Sequence, residues 1–240
     1  MTAETIIQSL ASGLLMGLIY GLVAAGLALI FGLMDVVNFA HGEFLMTSMY
    51  AAFGLFLAFA LDPLASAPFV AAAMFIFGAV VYLGLVRFAM SASANAGMVQ
   101  IFATFGLAIT MRGLAQLLFT PDYRSIPHSW LGGKTLNIAG IFLPAPQLAG
   151  AAVSLAAFGA LWLVINKTDF GRALEATRED AGAVALVGID KSRIFALGWG
   201  LGSAMVGLAG AVLAIFFYIY PDVDSSFALI AYVTVALGGF

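Results

Sequence analysis

The sequence contains no cysteine, which removes disulfides, thiol nucleophiles and cysteine-based metal sites together. Charge is scarce as well: 9% of the residues are Asp, Glu, Lys or Arg, where a soluble domain carries about a quarter. With a formal net charge of −3 and no basic tract, nucleic acid is not an expected partner. The two histidines, His41 and His128, have no metal-ligand spacing. There is no P-loop, so the chain is not expected to hydrolyse ATP itself, and no serine sits in a nucleophile elbow. The N-terminus MTAETIIQSL lacks the basic n-region of a secretory leader. These absences predict a non-enzyme with no cofactor and no metal.

What is present is apolar: 63% of the 240 residues, with a mean hydropathy of +1.10. Polar residues stand in short islands between runs long enough to cross a bilayer, for which about 20 residues are needed. The runs cover roughly 6–33, 42–61, 67–88, 98–119, 148–166 and 194–219, with a seventh starting near 226. This patterning predicts an all-α polytopic membrane helix bundle of about six to seven spans, a single transmembrane domain over 1–240. The segment 226–240 is short for a span, and one reading of this is a chain truncated at its C-terminus.

Five of the nine basic residues, Lys167, Arg172, Arg178, Lys191 and Arg193, fall in the loop 167–193. The positive-inside rule makes that loop cytoplasmic. Counting single crossings backwards then puts loop 120–147 outside and the N-terminus outside. Loop 120–147 carries Tyr123, Trp130 and several prolines, as an extracytoplasmic loop with a short hairpin would.

Within the cytoplasmic loop, RALEATREDAGAVALVGI places Leu174, Thr177, Ala181, Val184 and Ala185 at helical spacings, with Glu175, Arg178 and Glu179 on other faces. One short amphipathic helix is predicted, with Asp169 as N-cap and Gly188 as its stop. Two readings remain open from pattern alone, a solvated connector and a helix docking on a cytoplasmic partner.

Four stretches carry a resemblance: GLALIFGLMDVVNFAHGEF (26–44), GLAITMRGLAQLLF (106–119), GRALEATREDAGAVALVGI (171–189) and VALGG (235–239). The chain resembles, over its whole length and in the same order, the permease subunits of the branched-chain amino acid ABC importers. The resemblance implies a bacterial inner-membrane, multi-pass subunit. Its implied partners are a second related permease, two cytoplasmic ATP-binding subunits, a periplasmic substrate-binding protein and membrane lipid. It also implies that the loop from Ala173 to Gly188 couples to the ATP-binding subunit, through Ala173, Leu174, Glu175, Ala176, Thr177, Arg178, Glu179, Asp180, Ala181, Ala185 and Gly188. Members of that family continue past the glycines resembling Gly238 and Gly239. Branched-chain amino acids are the default cargo, with urea or short amides as alternatives.

The stretch GLMDVVNFAHGEFLM (32–46) sets Asp35, Asn38, His41 and Glu43 in an apolar region. It reads either as a cytoplasmic turn or as a break in a helix. The absence of Lys and Arg and the presence of Val36, Val37 and Phe39 favour a break at Gly32, restarting near His41 and lining the translocation path. Such a restart would aim the positive end of a helix at a substrate carboxylate, with Asn38 as cap. Arg112 lies inside the 98–119 run and either snorkels outward, the simpler expectation, or pairs internally with a carboxylate that the sequence does not identify. Gly13, Gly17 and Gly21, and Gly198, Gly202 and Gly207, recur at helical intervals as close-packing faces. A rival reading makes Asp35, His41, Glu43 and Arg112 the proton relay of a secondary transporter.

Overall fold

The computed structural model describes residues 3–34, 37–91, 95–138, 140–180 and 182–238. Nine α-helices are described: α1 (Ala3–Met34), α2 (His41–Phe59), α3 (Pro63–Val81), α4 (Arg87–Met90), α5 (Ala96–Phe119), α6 (Ala145–Lys167), α7 (Asp169–Glu179), α8 (Lys191–Leu213) and α9 (Asp224–Gly238). A π-helical turn (Tyr82–Val86) joins α3 to α4, so Pro63–Met90 forms one continuous crossing. Among the described residues six helices are long and apolar enough to span a membrane, as suits a chain that must satisfy every backbone group internally in hydrocarbon. α9 is a shorter apolar helix of 15 residues.

The centre of the bundle is α8. It is buried on nearly every side, from Ile194 through Leu213, which explains why its sequence is apolar all round rather than striped. Small residues make that position possible. A Cβ on Gly26 of α1 would lie 2.5 Å from the Gly202 carbonyl, and one on Gly202 would lie 2.6 Å from the Gly26 carbonyl. α1 and α8 therefore touch backbone to backbone. On the other side, Gly207 meets Ala71 and Met74 of α3, and Gly78 of α3 meets Ser203. Gly21 packs on Phe158 of α6, and Gly198 is buried. Gly13 and Gly17 have nothing within 4 Å among the described residues, so that part of the predicted packing face is open in the isolated chain.

The ends of the crossings are fixed by local chemistry. α3 begins with Pro63 at its first position, and Asp62 before it accepts from Leu64 N–H at 2.9 Å. The other Asp62 oxygen accepts from Trp130 N–H at 2.6 Å, tying the loop after α5 to the α2–α3 turn. Loop 120–147 forms the expected hairpin, β1 (Thr135–Ile138) antiparallel to β2 (Ile141–Pro144), with Leu136 opposite Leu143 and Ile138 opposite Ile141. The Gln8 side-chain amide donates to Phe142 O at 2.6 Å and accepts from Phe142 N–H at 2.7 Å, joining this hairpin to the first turns of α1.

Two boundaries differ from the sequence reading. α1 continues through Gly32 to Met34 rather than breaking at the glycine. α8 ends at Leu213 rather than near 219, and Ile219 instead exchanges two backbone hydrogen bonds with Arg124, at 2.9 and 2.8 Å. The helix cannot run on far in any case, because the ring of Pro221 disfavours helix in the residue before it, Tyr220.

Candidate functional site

The first turn of α2 lies inside the protein. Asn38, Ala40, His41, Glu43, Phe44, Leu45 and Met46 are all buried. His41 Nε2 is 2.9 Å from the Val23 carbonyl, and Val23 precedes the end of α1 by eleven residues, about 16 Å along the helix axis. α2 thus begins alongside the middle of α1, within the bundle, and the restart near His41 expected from the sequence is present. Asn38 does not act as the helix cap. Its Oδ1 accepts from Ala40 N–H at 3.0 Å in an Asx turn just ahead of the helix, while Ala40 occupies the N-cap position with no side-chain cap. Phe39 N–H donates to Thr104 Oγ1 on α5 at 3.3 Å, and Tyr232 of α9 donates to the Asn38 carbonyl at 3.0 Å. The backbone groups freed ahead of α2 thus find side-chain partners on two neighbouring helices, as irregular backbone buried in a membrane protein requires.

The start of α9 is packed against the start of α2. A Cβ on Gly42 would lie 3.0 Å from both the Asp224 and Ala228 Cβ atoms, so the glycine is what lets the two N-termini approach. Each first turn carries an acid, Glu43 on α2 and Asp224 on α9. Arg112 of α5 reaches both: its Nη2 donates to Glu43 Oε1 at 2.9 Å and to Asp224 Oδ2 at 2.5 Å, and its Nε is 3.6 Å from Asp222 Oδ1. Arg112 therefore pairs internally, against the simpler expectation of snorkelling, because two buried carboxylates stand within its reach. Glu43 and Asp224 have only 3% and 5% of their side-chain surface exposed. Charges so buried persist only when paired.

Sequence reasoning singled out Glu43 and Arg112 but missed Asp222 and Asp224. The only trace of them was a pair of acids at the mouth of an apolar run without a nearby base, and the partner of Asp224 is 112 residues earlier in the chain. The carboxylate-binding role foreseen for the α2 N-terminus does not match the geometry, since Glu43 and the packed α9 already occupy that end. A cavity of about 170 Å³ adjoins the ion cluster, lined by Phe39, Glu43, Ile109, Arg112, Asp224 and Tyr232 among others. Asp35 lies outside the described residues.

The loop 167–193 is built differently. α7 is capped by Thr168, not Asp169: Thr168 Oγ1 accepts from Gly171 N–H at 3.2 Å, and Asp169 instead pairs with Arg172 on the surface. The joint between α6 and α7 is tight, because any Cβ on Gly171 would overlap the Ile165 carbonyl. The predicted single helix is two pieces. α7 ends at Glu179, and a 3-10 turn runs from Ala183 to Val187, closed by Gly188 at φ +82°. The break occurs because Asp180 Oδ1 accepts from Gly182 N–H at 2.8 Å and Ala183 N–H at 2.9 Å, turning the chain. These donors, Ala183 first, hold the Asp180 carboxyl below the ordinary carboxylate range. Ala181 lies outside the described residues.

The loop residues fall into two sets. Leu174 and Thr177 are buried against the bundle, and Ala173 and Ala176 are half-buried. Glu175, Arg178, Glu179, Asp180, Ala185 and Gly188 face outward. With them go Leu186 and Val187, 89% and 75% exposed, two large apolar side chains that the sequence reading did not name.

Residues 9–240 match the family model described as the permease component of the branched-chain amino acid transport system. The chain is 26% identical to the high-affinity branched-chain amino acid transport system permease protein LivH of Salmonella typhimurium, covering 97% of this chain and 79% of that one. It is 26% identical, with the same coverage, to the corresponding protein BraD of Pseudomonas aeruginosa. A ribose import permease protein, RbsC of Bacillus subtilis, is 31% identical over 146 residues, 59% of this chain and 44% of that one. No solved structure matches. Six apolar crossings among the described residues, together with a family match over nearly the whole length, make this chain a multi-pass membrane protein belonging to the branched-chain amino acid permease family of ABC transporters.

Proposed function

We propose that the chain forms part of the translocation path for branched-chain or related hydrophobic amino acids, delivered by a periplasmic binding protein. It would work in a bacterial inner membrane beside a second related permease and two cytoplasmic ATP-binding subunits. The observation that supports this most strongly is the ion cluster of Arg112, Glu43 and Asp224 at the meeting of three helices, beside a cavity. Ionisable groups inside a membrane protein are costly, and their usual use is a substrate or ion path. In this reading Asn38, His41, Glu43 and Arg112 belong to the path, loop 120–147 faces outward, and loop 167–193 faces the cytoplasm.

ATP binding would act through the loop. Leu186, Val187 and Ala185, with Glu175, Arg178 and Glu179, form the surface offered to the ATP-binding subunit, while Leu174 and Thr177 seat α7 on the spans. Because Gly171 and Thr168 make the α6–α7 joint tight, a rigid-body displacement of α7 carries α6 with it. The test is uptake of labelled leucine into proteoliposomes holding the assembled importer and its binding protein. Accumulation that requires ATP is the expected result.

A second reading rests on the excess of acid, three carboxylates against one guanidinium, which would suit a proton-coupled carrier. Uptake driven by a pH gradient without any ATP-binding subunit would favour it, and so would uptake unaffected by removing ATP.

A further inference from the structure

Two cavities share a wall. The smaller, about 170 Å³, adjoins the ion cluster, and a second of about 270 Å³ lies beside the last turns of α1, lined by Leu27, Phe31, Val37 and Val235. Phe39 and Tyr232 line both. Their rings stand 6.1 Å apart, centre to centre, with their planes at 46°, so this aromatic pair divides one space from the other. Rings in a packed core have atoms against every face. These two have open volume on two sides, and Phe39 is 40% exposed.

The pair is held by contacts that can be released without unseating a helix. Phe39 belongs to the link ahead of α2, outside any helix, so no helical ladder fixes its backbone, and its N–H donates to Thr104 Oγ1 at 3.3 Å. The Tyr232 hydroxyl donates to the Asn38 carbonyl at 3.0 Å, and the same carbonyl accepts from His41 N–H at 3.3 Å. When the tyrosine leaves, that buried acceptor keeps a partner, which avoids the penalty of an orphaned carbonyl. α9 meanwhile stays seated through Asp224 on Arg112 and through Phe227 on Tyr20 and Phe217.

At its other end the smaller cavity meets Glu43, Arg112 and Asp224. One turn further along α2 and α5 an apolar cavity begins, lined by Thr47, Tyr50, Met111 and Ala115 among others. A space closed by an ion cluster on one side and an aromatic pair on the other is what alternating access requires, since each closure can open while its opposite holds. We infer that Phe39 and Tyr232 form the inner gate of the translocation path, latched by the hydrogen bond from Tyr232 to the Asn38 carbonyl, with the ion cluster closing the opposite side. The inference rests on the path proposed above and names what shuts it towards the end of α1, the cytoplasmic end in that reading. The chemistry suits a cargo with an aliphatic side chain, which slides between two rings without stranding a polar group.

The experiment uses the assembled importer without nucleotide, in inside-out and right-side-out membrane vesicles. Ala228→Cys puts a thiol in the wall of the smaller cavity, and its reaction with a membrane-impermeant maleimide is timed as mass added to this chain. Adding Tyr232→Phe, which keeps the ring and removes the latch, should speed labelling from the cytoplasmic face about fivefold, the worth of one net hydrogen bond. Labelling from the outer face should not change. Phe39→Ala, which removes one ring of the gate, should give a larger rise on the same face. Should Phe39→Ala fail to assemble, Tyr232→Phe decides alone. An equal rise from both faces, as general loosening of the bundle would give, overturns the gate, and so does a rise confined to the outer face or no rise at all. Uptake of labelled leucine by the unaltered importer is measured in parallel. ATP-dependent uptake without the one-sided rise condemns only the gate, whereas the one-sided rise without leucine uptake condemns the amino-acid reading and leaves the gate standing.

Discussion

Two polar sites in this apolar protein can be set side by side, and burial inverts what each is made of. At the junction of α2, α5 and α9 the surroundings are apolar, so the informative groups are charged: Arg112, Glu43 and Asp224, paired at 2.9 and 2.5 Å. In the loop 167–193 the surroundings are polar, so the informative groups are apolar: Leu186 and Val187, 89% and 75% exposed. Each set stands where its chemistry is costly, and neither is needed to make a helix. The lesson is that a residue in the wrong solvent marks function better than a residue of any particular type.

The contrast can be broken from the inside first. Arg112→Leu leaves Glu43 and Asp224 buried without a cation, and removing one partner of a buried ion pair costs about 3–5 kcal/mol. The expected outcome is loss of most folded protein, measured as the monodisperse fraction in detergent. Leu174→Asp is expected to fail comparably, since Leu174 is buried under α7 and an unpaired charge there has no partner.

The outer surface of the loop should behave oppositely. Leu186→Asp with Val187→Asp is expected to leave thermal unfolding within about 0.5 kcal/mol of the unaltered chain. The same pair should abolish recovery of the ATP-binding subunit in a pull-down. Unchanged recovery would remove this surface from the coupling account. Within the ion cluster, Asp222→Asn sharpens the comparison further: Asp222 is 54% exposed and 3.6 Å from Arg112, so its loss should cost no more than ~1 kcal/mol.

The smallest effect concerns Asp180. Its pKa is depressed in the folded state by the Ala183 and Gly182 N–H groups, so the stabilisation of the turn is present above the unfolded value of about 3.9 and fades as pH falls through the lower folded value. Amide exchange at Gly182 and Ala183 should lose protection only below about pH 4, and in Asp180→Ala the protection should be absent at neutral pH.

Much of this was legible in the sequence. The six long crossings, the hairpin in loop 120–147 and the restart at His41 follow from hydropathy, turn residues and a polar stretch in the wrong place. The partners of Arg112 were not legible, because Asp222 and Asp224 join it only through tertiary packing across the bundle. Nor was the split of the helix in loop 167–193, where the apolar spacing of Leu174, Thr177 and Val184 ran on through Asp180, although that side chain had local N–H groups to turn the chain with. Which loop residues point outward depended on the tight α6–α7 joint at Gly171, a matter of packing and not of periodicity.

The absence of native cysteine makes one measurement unusually direct. A single Ala228→Cys, placed in the wall of the cavity, should react in the assembled importer with a membrane-impermeant thiol reagent, and its accessible side should change between the ATP-free and ATP-bound states. Labelling that switches sides with nucleotide is what a translocation path through the α2–α5–α9 junction predicts. A cysteine that stays unlabelled in both states, or that is labelled identically in both, would contradict it.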